Sequence, residues 1–305
     1  MKQLFPDIIK ENIPLSHHST FRIGGEARYA AFPTSEAELA SVTKEAQKRG
    51  LPYITVGRGS NLLFDDSGYD GVVVFTSAMK SVVWDADSVW AEAGVSLTAL
   101  ALEAARRGLR GLEFAYGIPA SVGGAVYMNA GAYNTQISDV LTESRYLAND
   151  GTVTSRPKAA HGFSYRQSVY QKTGEIILGA RFALTPDDPE RLVSLCKQRM
   201  AKRRCTQPLE YPSAGSVFKR PRNAFAGALI EQASLKGFSI GGAAVSEKHA
   251  GFIINRGGAT SADVLALVEH IRAEVLERYG VLLHTEIIHV PNPAHDTADI
   301  TKTGR

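Results

Sequence analysis

The longest stretch of the sequence without a charged residue runs from residue 114 to residue 138. It is long enough to span a bilayer, but glycine, proline and asparagine recur throughout it, unlike the continuous apolar run of a membrane helix. So many small residues let the backbone approach a large planar or diphosphate ligand closely. We therefore interpret the stretch either as a buried, tightly packed segment or as a loop that binds a dinucleotide.

A second glycine-rich segment, Gly57-Arg58-Gly59-Ser60-Asn61, directly follows a predicted strand at residues 53–56. Its glycines permit a tight loop whose N–H groups can face a phosphate, and its serine and asparagine add side-chain donors. The segment has neither the P-loop pattern nor the GxGxxG pattern, so a plain turn would explain it equally well on its own. Two such loops in one chain reinforce the dinucleotide interpretation.

The overall composition excludes several classes of protein. The chain has 305 residues, 44% of them hydrophobic and 21% charged, which is typical of a globular protein with room for two domains. Its net charge is only +3 and it has no long basic run, so nucleic acid is not an expected partner. The two cysteines lie nine residues apart in one predicted helix and would point to opposite sides of it, which excludes a disulfide between them.

Hydrophobic periodicity predicts a mixed α+β architecture. In the first half we expect helices at 36–49, 96–107 and 190–204, with strands at 53–56, 72–75, 81–84, 89–91, 144–147, 152–154 and 175–184. A second region of the sequence begins after Gln207-Pro208, with a helix at 224–233 and strands at 243–245, 251–255 and 282–290. Its best-marked helix starts at a capping box of Thr260 and Asp263 and ends before Gly280. The polar tail at 291–305 is expected to be mobile.

Five motifs stand in the order found in UDP-N-acetylenolpyruvoylglucosamine reductases, and the resemblance runs from about residue 15 to residue 290. The motifs lie at residues 20–25, 57–63, 117–124, 165–168 and 215–221. The resemblance implies an FAD-binding domain of the vanillyl-alcohol-oxidase type, with two α+β subdomains, at residues 1–206. A smaller α+β substrate-binding domain would follow at 207–290.

The resemblance also implies an activity. It indicates a cytoplasmic flavoenzyme of peptidoglycan synthesis that binds FAD without a covalent link. Such an enzyme uses NADPH to reduce the enolpyruvyl ether of a UDP-sugar to UDP-N-acetylmuramate. We expect no nucleic-acid partner, no membrane association and no metal, and a monomer is the default expectation for the oligomeric state.

Two departures from the family pattern are informative. Position 120 is Ala where the family has Gly, which predicts a negative φ at this residue. Only 49 residues, 167–215, separate Arg166 from Ser216. That is too few for the extra loop, with its substrate-covering tyrosine, of the longer class of the family. The chain therefore resembles the shorter class, in which some other group must close over the nucleotide.

The resemblance carries residue roles onto matching positions. The expected FAD-binding residues lie in the two glycine-rich loops: Gly57, Arg58, Gly59, Ser60, Asn61, Gly117, Ser121, Gly123 and Gly124. The expected substrate-binding residues are Tyr133, Lys219 and Arg220, the last two placing positive charge near the UDP diphosphate or near Ser216.

The expected catalytic residues are Arg166, Ser216 and Glu286. Hydride addition to an enol ether beside a carboxylate leaves negative charge on the α-carbon and the carboxylate. The planar guanidinium of Arg166 suits that carboxylate, and Glu286 would work with it in polarising the substrate. Ser216 would donate the proton, because even a weakly acidic hydroxyl can protonate a strongly basic carbanion.

Two alternative functions follow from the same residues. One is another oxidase or dehydrogenase of this flavin fold. Such relatives often attach the flavin to a His after the first glycine-rich loop, and no His stands in residues 57–61 here. The other is a nucleotide-binding regulator without catalysis, against which the joint presence of Arg166, Ser216 and Glu286 argues.

Overall fold

The structure, a computed structural model, describes residues 1–295 and divides into two compact units. Unit 1 contains Met1–Ile9, Ala31–Arg58 and Val73–Arg203. Unit 2 contains Lys10–Ala30, Gly59–Val72 and the chain from Arg204 onward. Each unit is thus assembled from three separate stretches of chain. Most of the tail predicted to be mobile, from residue 296 on, lies outside the described residues.

Helices and short strands alternate along residues 1–295. The strands are β1 Ile9–Pro14, β2 Glu26–Ala31, β3 Tyr53–Val56, β4 Leu62–Phe64, β5 Tyr69–Phe75, β6 Val82–Trp84, β7 Ser88–Glu92, β8 Leu109–Arg110, β9 Gly131–Ala132, β10 Thr135–Gln136, β11 Leu141–Leu147, β12 Val153–Pro157, β13 Ile176–Ala183, β14 Thr185–Pro186, β15 Ser239–Ile240, β16 Ala243–Val245, β17 Ile253–Asn255 and β18 Ile288–Val290. The α-helices are α1 Glu36–Lys48, α2 Leu97–Arg106, α3 Val122–Tyr127, α4 Ile137–Val140, α5 Tyr170–Thr173, α6 Pro189–Thr206, α7 Ala226–Gln232 and α8 Ser261–Tyr279.

Unit 1 is organised around a five-stranded antiparallel sheet in the order β12-β11-β13-β7-β6. The strands predicted at 144–147 and 152–154 are confirmed as β11 and β12, which pair as an antiparallel hairpin around Asn149-Asp150-Gly151, and Gly151 has the positive φ of 87° that such a turn favours. The core of unit 1 combines inward residues of the sheet with α2 and α3, including Val89, Leu100 and Val126.

Unit 2 contains the three-stranded antiparallel sheet β15-β16-β17 and the long helix α8. The predicted capping box is confirmed: the Thr260 side chain accepts the N–H of Asp263, and the Asp263 carboxylate accepts the N–H of Thr260. The helix ends at Gly280, which has a left-handed φ of 66°. The apolar stripe of α8 is buried in the core of the unit: Val264, Leu267, Val268, Ile271 and Val275.

The predicted closing strand at residues 282–290 is wrong in its extent. Only Ile288–Val290 forms a strand, and it pairs in parallel with β4. β4 is only three residues long, so β18 can pair with it over three residues at most. Before it, Thr285 forms an isolated bridge with Phe218.

Two other expectations concern single features. Cys196 is buried in α6 and Cys205 is exposed, and both are free, as predicted. Among the described residues, no helix is both long enough and apolar enough to cross a membrane.

Candidate active site

The first predicted cofactor loop begins against the second in unit 1. Gly57 follows β3, and a Cβ at this position would overlap the Oγ of Ser121. Ser121 is 2% exposed and caps α3, its Oγ accepting the N–H of Gly124 at 3.2 Å. The structure therefore brings Gly57 beside the loop at residues 117–124, and the close approach requires glycine at position 57.

The remaining small residues of the second loop differ in what surrounds them. Gly117 has a φ of +91°, and a Cβ on it would lie 3.0 Å from Arg203 Cδ. A Cβ on Gly123 would lie 2.9 Å from the Cβ of Ala93. Protein packing thus accounts for these two glycines, whereas a Cβ on Gly124 would meet only Ser121 Oγ, at 3.4 Å. Ala120 is not among the residues with positive φ, which confirms the expectation for this position.

The second half of the first loop lies in unit 2, against residues 18 and 19. Gly59 has a φ of +60°, and a Cβ on it would overlap the carbonyl oxygen of His18. The Oγ of Ser19 is buried and has no hydrogen-bond partner among the described residues. An unsatisfied buried hydroxyl beside a glycine turn offers a donor to a phosphate oxygen, so the residues present fit a dinucleotide cofactor. The sequence interpretation missed Ser19, which stands in an unremarkable His-His-Ser-Thr run.

The other residues of this loop are at least partly exposed, and Asn61 is hydrogen-bonded to β18 and to the segment that precedes it. Arg58 is exposed and Ser60 is half-buried. Asn61 Nδ2 donates to the backbone oxygen of Glu286 at 3.0 Å, and the N–H of Ile288 donates to the backbone oxygen of Asn61 at 2.9 Å. The structure thereby brings a predicted cofactor residue together with a predicted catalytic residue.

Arg166 occupies a strained turn in unit 1. Its φ is 57°, a left-handed value that is unfavourable for a residue with a side chain. Ser164 and Gln167 close the turn with reciprocal backbone hydrogen bonds. The half-buried guanidinium donates from Nη2 to the backbone oxygen of Gly131 at 3.2 Å. Nothing in the sequence indicates this backbone conformation.

The chain that follows Arg166 is anchored to the end of α3. The backbone oxygen of Tyr127 accepts hydrogen bonds from Ser168 Oγ at 2.7 Å and from Gln171 Nε2 at 2.9 Å. Gln171 Nε2 also donates to the backbone oxygen of Arg166 at 3.0 Å. Burial raises the pKa of the Tyr127 phenol, which therefore stays protonated. These bonds fix the turn on its C-terminal side.

Tyr133 lies at the tip of the β9–β10 hairpin and also has a left-handed φ, 55°. Its hydroxyl donates to the backbone oxygen of Arg199 in α6 at 3.2 Å. The Arg199 guanidinium stands 4.7 Å from the centroid of the tyrosine ring. This predicted substrate residue is therefore held in place by α6.

Asn129 connects the Tyr133 hairpin with the Arg166 turn. The residue is fully buried and has a φ of 42°. Its Nδ2 donates to Gln136 Oε1 at 3.1 Å and to the backbone oxygen of Ser164 at 3.0 Å, and its Oδ1 accepts the N–H of Ser138 at 2.9 Å. The role of Asn129 as a hub depends on contacts between distant residues, which the sequence does not show.

Ser216 and Glu286 are brought together in unit 2 by pairing of the main chain. The N–H of Glu286 donates to the backbone oxygen of Val217 at 2.7 Å, and the N–H of Lys219 donates to that of His284 at 2.8 Å. Ser216 is exposed, and the residue before it, Gly215, has a φ of +79°. The proton donor expected at 216 therefore lies next to the segment that carries Glu286.

The expected substrate cations Lys219 and Arg220 follow directly on the same segment. Lys219 is half-buried, whereas Arg220 is exposed. The Arg220 guanidinium lies 4.0 Å from the ring centroid of Phe225, which is 61% exposed. Within residues 1–295, no group of three or more His, Cys, Asp or Glu side chains could hold a metal ion.

Comparisons with known proteins identify the family. The family described as "UDP-N-acetylenolpyruvoylglucosamine reductase, C-terminal domain" matches residues 207–290, and the family described as "FAD binding domain" matches residues 27–155. The UDP-N-acetylenolpyruvoylglucosamine reductase of Lactobacillus delbrueckii subsp. bulgaricus is 44% identical over 279 residues, which cover 92% of this chain and 94% of that protein. That of Caldicellulosiruptor bescii is 46% identical over 276 residues, 90% of this chain and 88% of that protein.

A solved structure agrees. The crystal structure of UDP-N-acetylenolpyruvylglucosamine reductase from Thermus caldophilus superposes with a TM-score of 0.79 at 34% identity, covering 92% of this chain and 98% of that one. The predicted fold class, an α+β FAD-binding domain followed by a second α+β domain, is confirmed. The chain belongs to the UDP-N-acetylenolpyruvoylglucosamine reductase family.

Proposed function

We propose that this protein uses NADPH to reduce UDP-N-acetylglucosamine enolpyruvate to UDP-N-acetylmuramate, a step of peptidoglycan precursor synthesis in the cytoplasm. The observation that carries the proposal is the identity of 44% with a reductase of this name along 92% of the chain. The positions of Arg166, Ser216 and Glu286 on ordered, well-anchored segments support it.

FAD is the expected cofactor, and the two glycine-rich loops would hold it. When bound there, FAD would supply the hydride chemistry between NADPH and the substrate. Gly57 and Ser121 bring the loops together in unit 1, while Gly124 leaves room above α3. Ser19 Oγ and the side chains of Ser60 and Asn61 add polar groups in unit 2. With no His in residues 57–61, the link would be non-covalent.

Arg166 would stabilise the charge that develops on the substrate. Its planar fork can donate two hydrogen bonds to a carboxylate that gains a second negative charge as hydride adds to the neighbouring carbon. The left-handed backbone of the turn sets the direction in which the Arg166 side chain leaves the main chain, and the hydrogen bond to Gly131 limits the motion of the guanidinium. Such preorganisation means that little reorientation is needed during the reaction. Glu286 would assist by polarising the substrate.

Ser216 would deliver the proton to the α-carbon. Its hydroxyl is exposed, and Val217 beside it is fixed on both sides by main-chain bonds to Gly251 and Glu286. A rigid main chain holds a small hydroxyl in reach of the carbanion, which compensates for its weak acidity. Lys219 and Arg220 would favour the anionic UDP-sugar, and Tyr133 would contact the substrate. We assign FAD binding to the domain at residues 1–206, which would also contribute Arg166 and Tyr133 to the substrate, and the remaining substrate contacts to the domain at residues 207–290.

Anaerobic mixing tests the proposal directly. The purified yellow protein should lose its flavin absorbance on addition of NADPH and regain it only when UDP-N-acetylglucosamine enolpyruvate is added. Bleaching of the oxidised flavin by a simple alcohol or lactone, in place of NADPH, would favour another enzyme of the fold, and a protein that never bleaches would favour the regulator. Acid precipitation should release all the flavin, since colour retained in the pellet would indicate a covalent bond.

A further inference from the structure

Helix α6 presents two arginines to residues of the candidate site in unit 1. Arg199 and Arg203 are four residues apart and therefore lie on one side of the helix. The Arg199 guanidinium stands 4.7 Å from the centroid of the Tyr133 ring. Arg203 Cδ lies 3.0 Å from where a Cβ on Gly117 would be. The two cations thus border both the expected substrate tyrosine and the start of the second glycine-rich loop.

Arg203 is half-buried, with a fully buried Nε and no compensating charge. Its Nε is buried and has no hydrogen-bond partner among residues 1–295. Burial lowers the pKa of its guanidinium, the Tyr133 phenol acts in the opposite direction, and no carboxylate of the described chain contributes. Arg156, another poorly exposed arginine of unit 1, instead pairs with Glu175 at 2.9 Å. Since a buried charge is costly unless it is paired, Arg203 is suited to a partner that the chain itself does not supply.

The local charge of the helix favours an anion as that partner. Residues 197–206 contain five cations and no acidic residue: Lys197, Arg199, Lys202, Arg203 and Arg204. Like charges so close together repel one another, and a bound anion relieves that repulsion. The guanidinium fork of arginine matches the paired oxygens of a phosphate, which a lysine contacts only as a point charge.

We propose that Arg203, assisted by Arg199, binds the diphosphate of a nucleotide substrate beside Tyr133. The inference rests on the proposed function, because both the UDP-sugar and NADPH carry a nucleoside diphosphate. It assigns phosphate recognition to two cations of α6 that sequence reasoning did not single out.

Calorimetric titration of the flavin-loaded protein with UDP and, separately, with NADP⁺ tests the inference. Loss of a charge-assisted pair of hydrogen bonds in Arg203→Met should weaken at least one of these ligands by about tenfold or more. Arg203→Lys keeps the positive charge but not the two-pronged guanidinium, so its affinity should lie between those of the wild type and Arg203→Met. Lys197→Met is the matched control: it removes one exposed cation from the same helix and should change either affinity less than about twofold.

The two ligands identify the source of the diphosphate. Weakening of UDP alone assigns the site to the sugar nucleotide, weakening of NADP⁺ alone assigns it to the reductant, and weakening of both indicates a shared site. Equal affinities of wild-type, Arg203→Met and Lys197→Met proteins for both ligands would overturn the inference. Flavin content and melting temperature show whether a variant is folded, and Arg199→Met, in which Arg203 is kept, provides a second readout if Arg203→Met does not fold.

Turnover of the enolpyruvyl sugar by the wild-type protein is measured separately. If the wild type turns over that sugar while the Arg203 variants bind both nucleotides normally, the inference fails and the proposed function stands. If the wild type binds UDP through Arg203 but does not reduce the sugar, the proposed function fails and the site stands.

Discussion

The two units hold their candidate catalytic residues in different ways. In unit 1, Arg166 and Tyr133 have left-handed backbones, with φ values of 57° and 55°, and the buried side chain of Asn129 joins their segments. In unit 2, Ser216 and Glu286 lie on segments whose main chains bond directly to one another through Val217. Neither Ser216 nor Glu286 has a positive φ. The positions of the candidate site residues therefore depend on side-chain contacts in unit 1 and on main-chain hydrogen bonds in unit 2.

This difference has an energetic consequence. A non-glycine residue in the left-handed region costs on the order of 1–2 kcal/mol, so the surrounding contacts must maintain it. Main-chain pairing survives most substitutions, because every residue but proline supplies the same N–H and C=O groups. Substitutions in unit 2 should thus remove chemistry without moving the site, whereas those in unit 1 should also disturb positions nearby.

Ser216→Ala should have the largest effect and should be purely chemical. The bonds of Val217 do not involve the lost hydroxyl, so flavin content and NADPH oxidation should stay normal. Reoxidation by the enolpyruvyl sugar should slow by about 10²–10⁴-fold, roughly 3–5 kcal/mol, as expected for a lost general acid. Stopped-flow absorbance measures both half-reactions. Ser216→Cys, which retains a proton, should recover part of the rate.

Reoxidation of Ser216→Ala at the wild-type rate would contradict this assignment. Ser216 would then be a loop residue, and Glu286 would become the candidate acid.

Arg166→Lys should have the next largest effect. The ammonium cannot reproduce the two-pronged contact with a carboxylate, and loss of one charge-stabilising donor costs about 3 kcal/mol, a hundredfold or more in rate. Flavin reduction by NADPH, which does not involve the enolpyruvyl carboxylate, should change far less. Comparing the two half-reactions of this variant separates the roles, and an unaltered steady-state rate would make Arg166 a structural residue.

The framework of each unit was easier to predict than the local geometry of its site. The helix from Thr260 to Gly280 and the β11–β12 hairpin follow from capping and turn residues, whose effects are local. The family resemblance also assigns roles to Arg166, Ser216 and Glu286, and these roles stay predictions. The left-handed φ of Arg166, the hub at Asn129 and the buried charge of Arg203 could not be predicted, because each depends on contacts between residues distant in sequence. The same reason explains the overlong strand at 282–290, whose length is limited by its three-residue partner.

Asn129→Ala tests whether the position of the Arg166 turn in unit 1 depends on a buried side chain. The substitution leaves Gln136 Oε1 and the Ser164 oxygen without their donor, which should lower the free energy of unfolding by about 1–3 kcal/mol. Displacement of the Arg166 turn should slow turnover on the order of ten- to a hundredfold. Asn149→Ala is the control: this exposed asparagine donates a hydrogen bond of 3.0 Å to the Thr173 oxygen, and its substitution should alter neither quantity much.

Asn129→Asp sharpens the test, because it keeps the acceptor for Ser138 but replaces the donor by an oxygen that faces the acceptors Gln136 Oε1 and the Ser164 oxygen. Turnover equal to that of the wild type in both Asn129 variants would show that the Arg166 turn holds its position without this side chain.

Thr260→Ala should have the smallest effect, confined to the stability of unit 2. The lost Oγ accepts the N–H of Asp263 at 3.0 Å, and removing such an N-cap costs about 1 kcal/mol, or a melting temperature lower by roughly 2–4 °C. Turnover should not change, since α8 supports unit 2 through its buried stripe. Thr260→Ser, which keeps the acceptor, should melt close to the wild type.

The pH dependence distinguishes the two halves of the capping box. The N–H groups of Thr260 and Gly242 lower the pKa of Asp263, so its carboxylate stabilises the fold above the ordinary value of 3.8 and loses that contribution as the pH falls through the lowered value. The destabilisation by Asp263→Ala should therefore shrink in acid, whereas that by Thr260→Ala, which is due chiefly to the lost acceptor for the N–H of Asp263, should largely persist. Denaturant unfolding at neutral and acidic pH measures both, and a Thr260→Ala penalty that vanished together with that of Asp263→Ala would mean that the box acts only through the carboxylate.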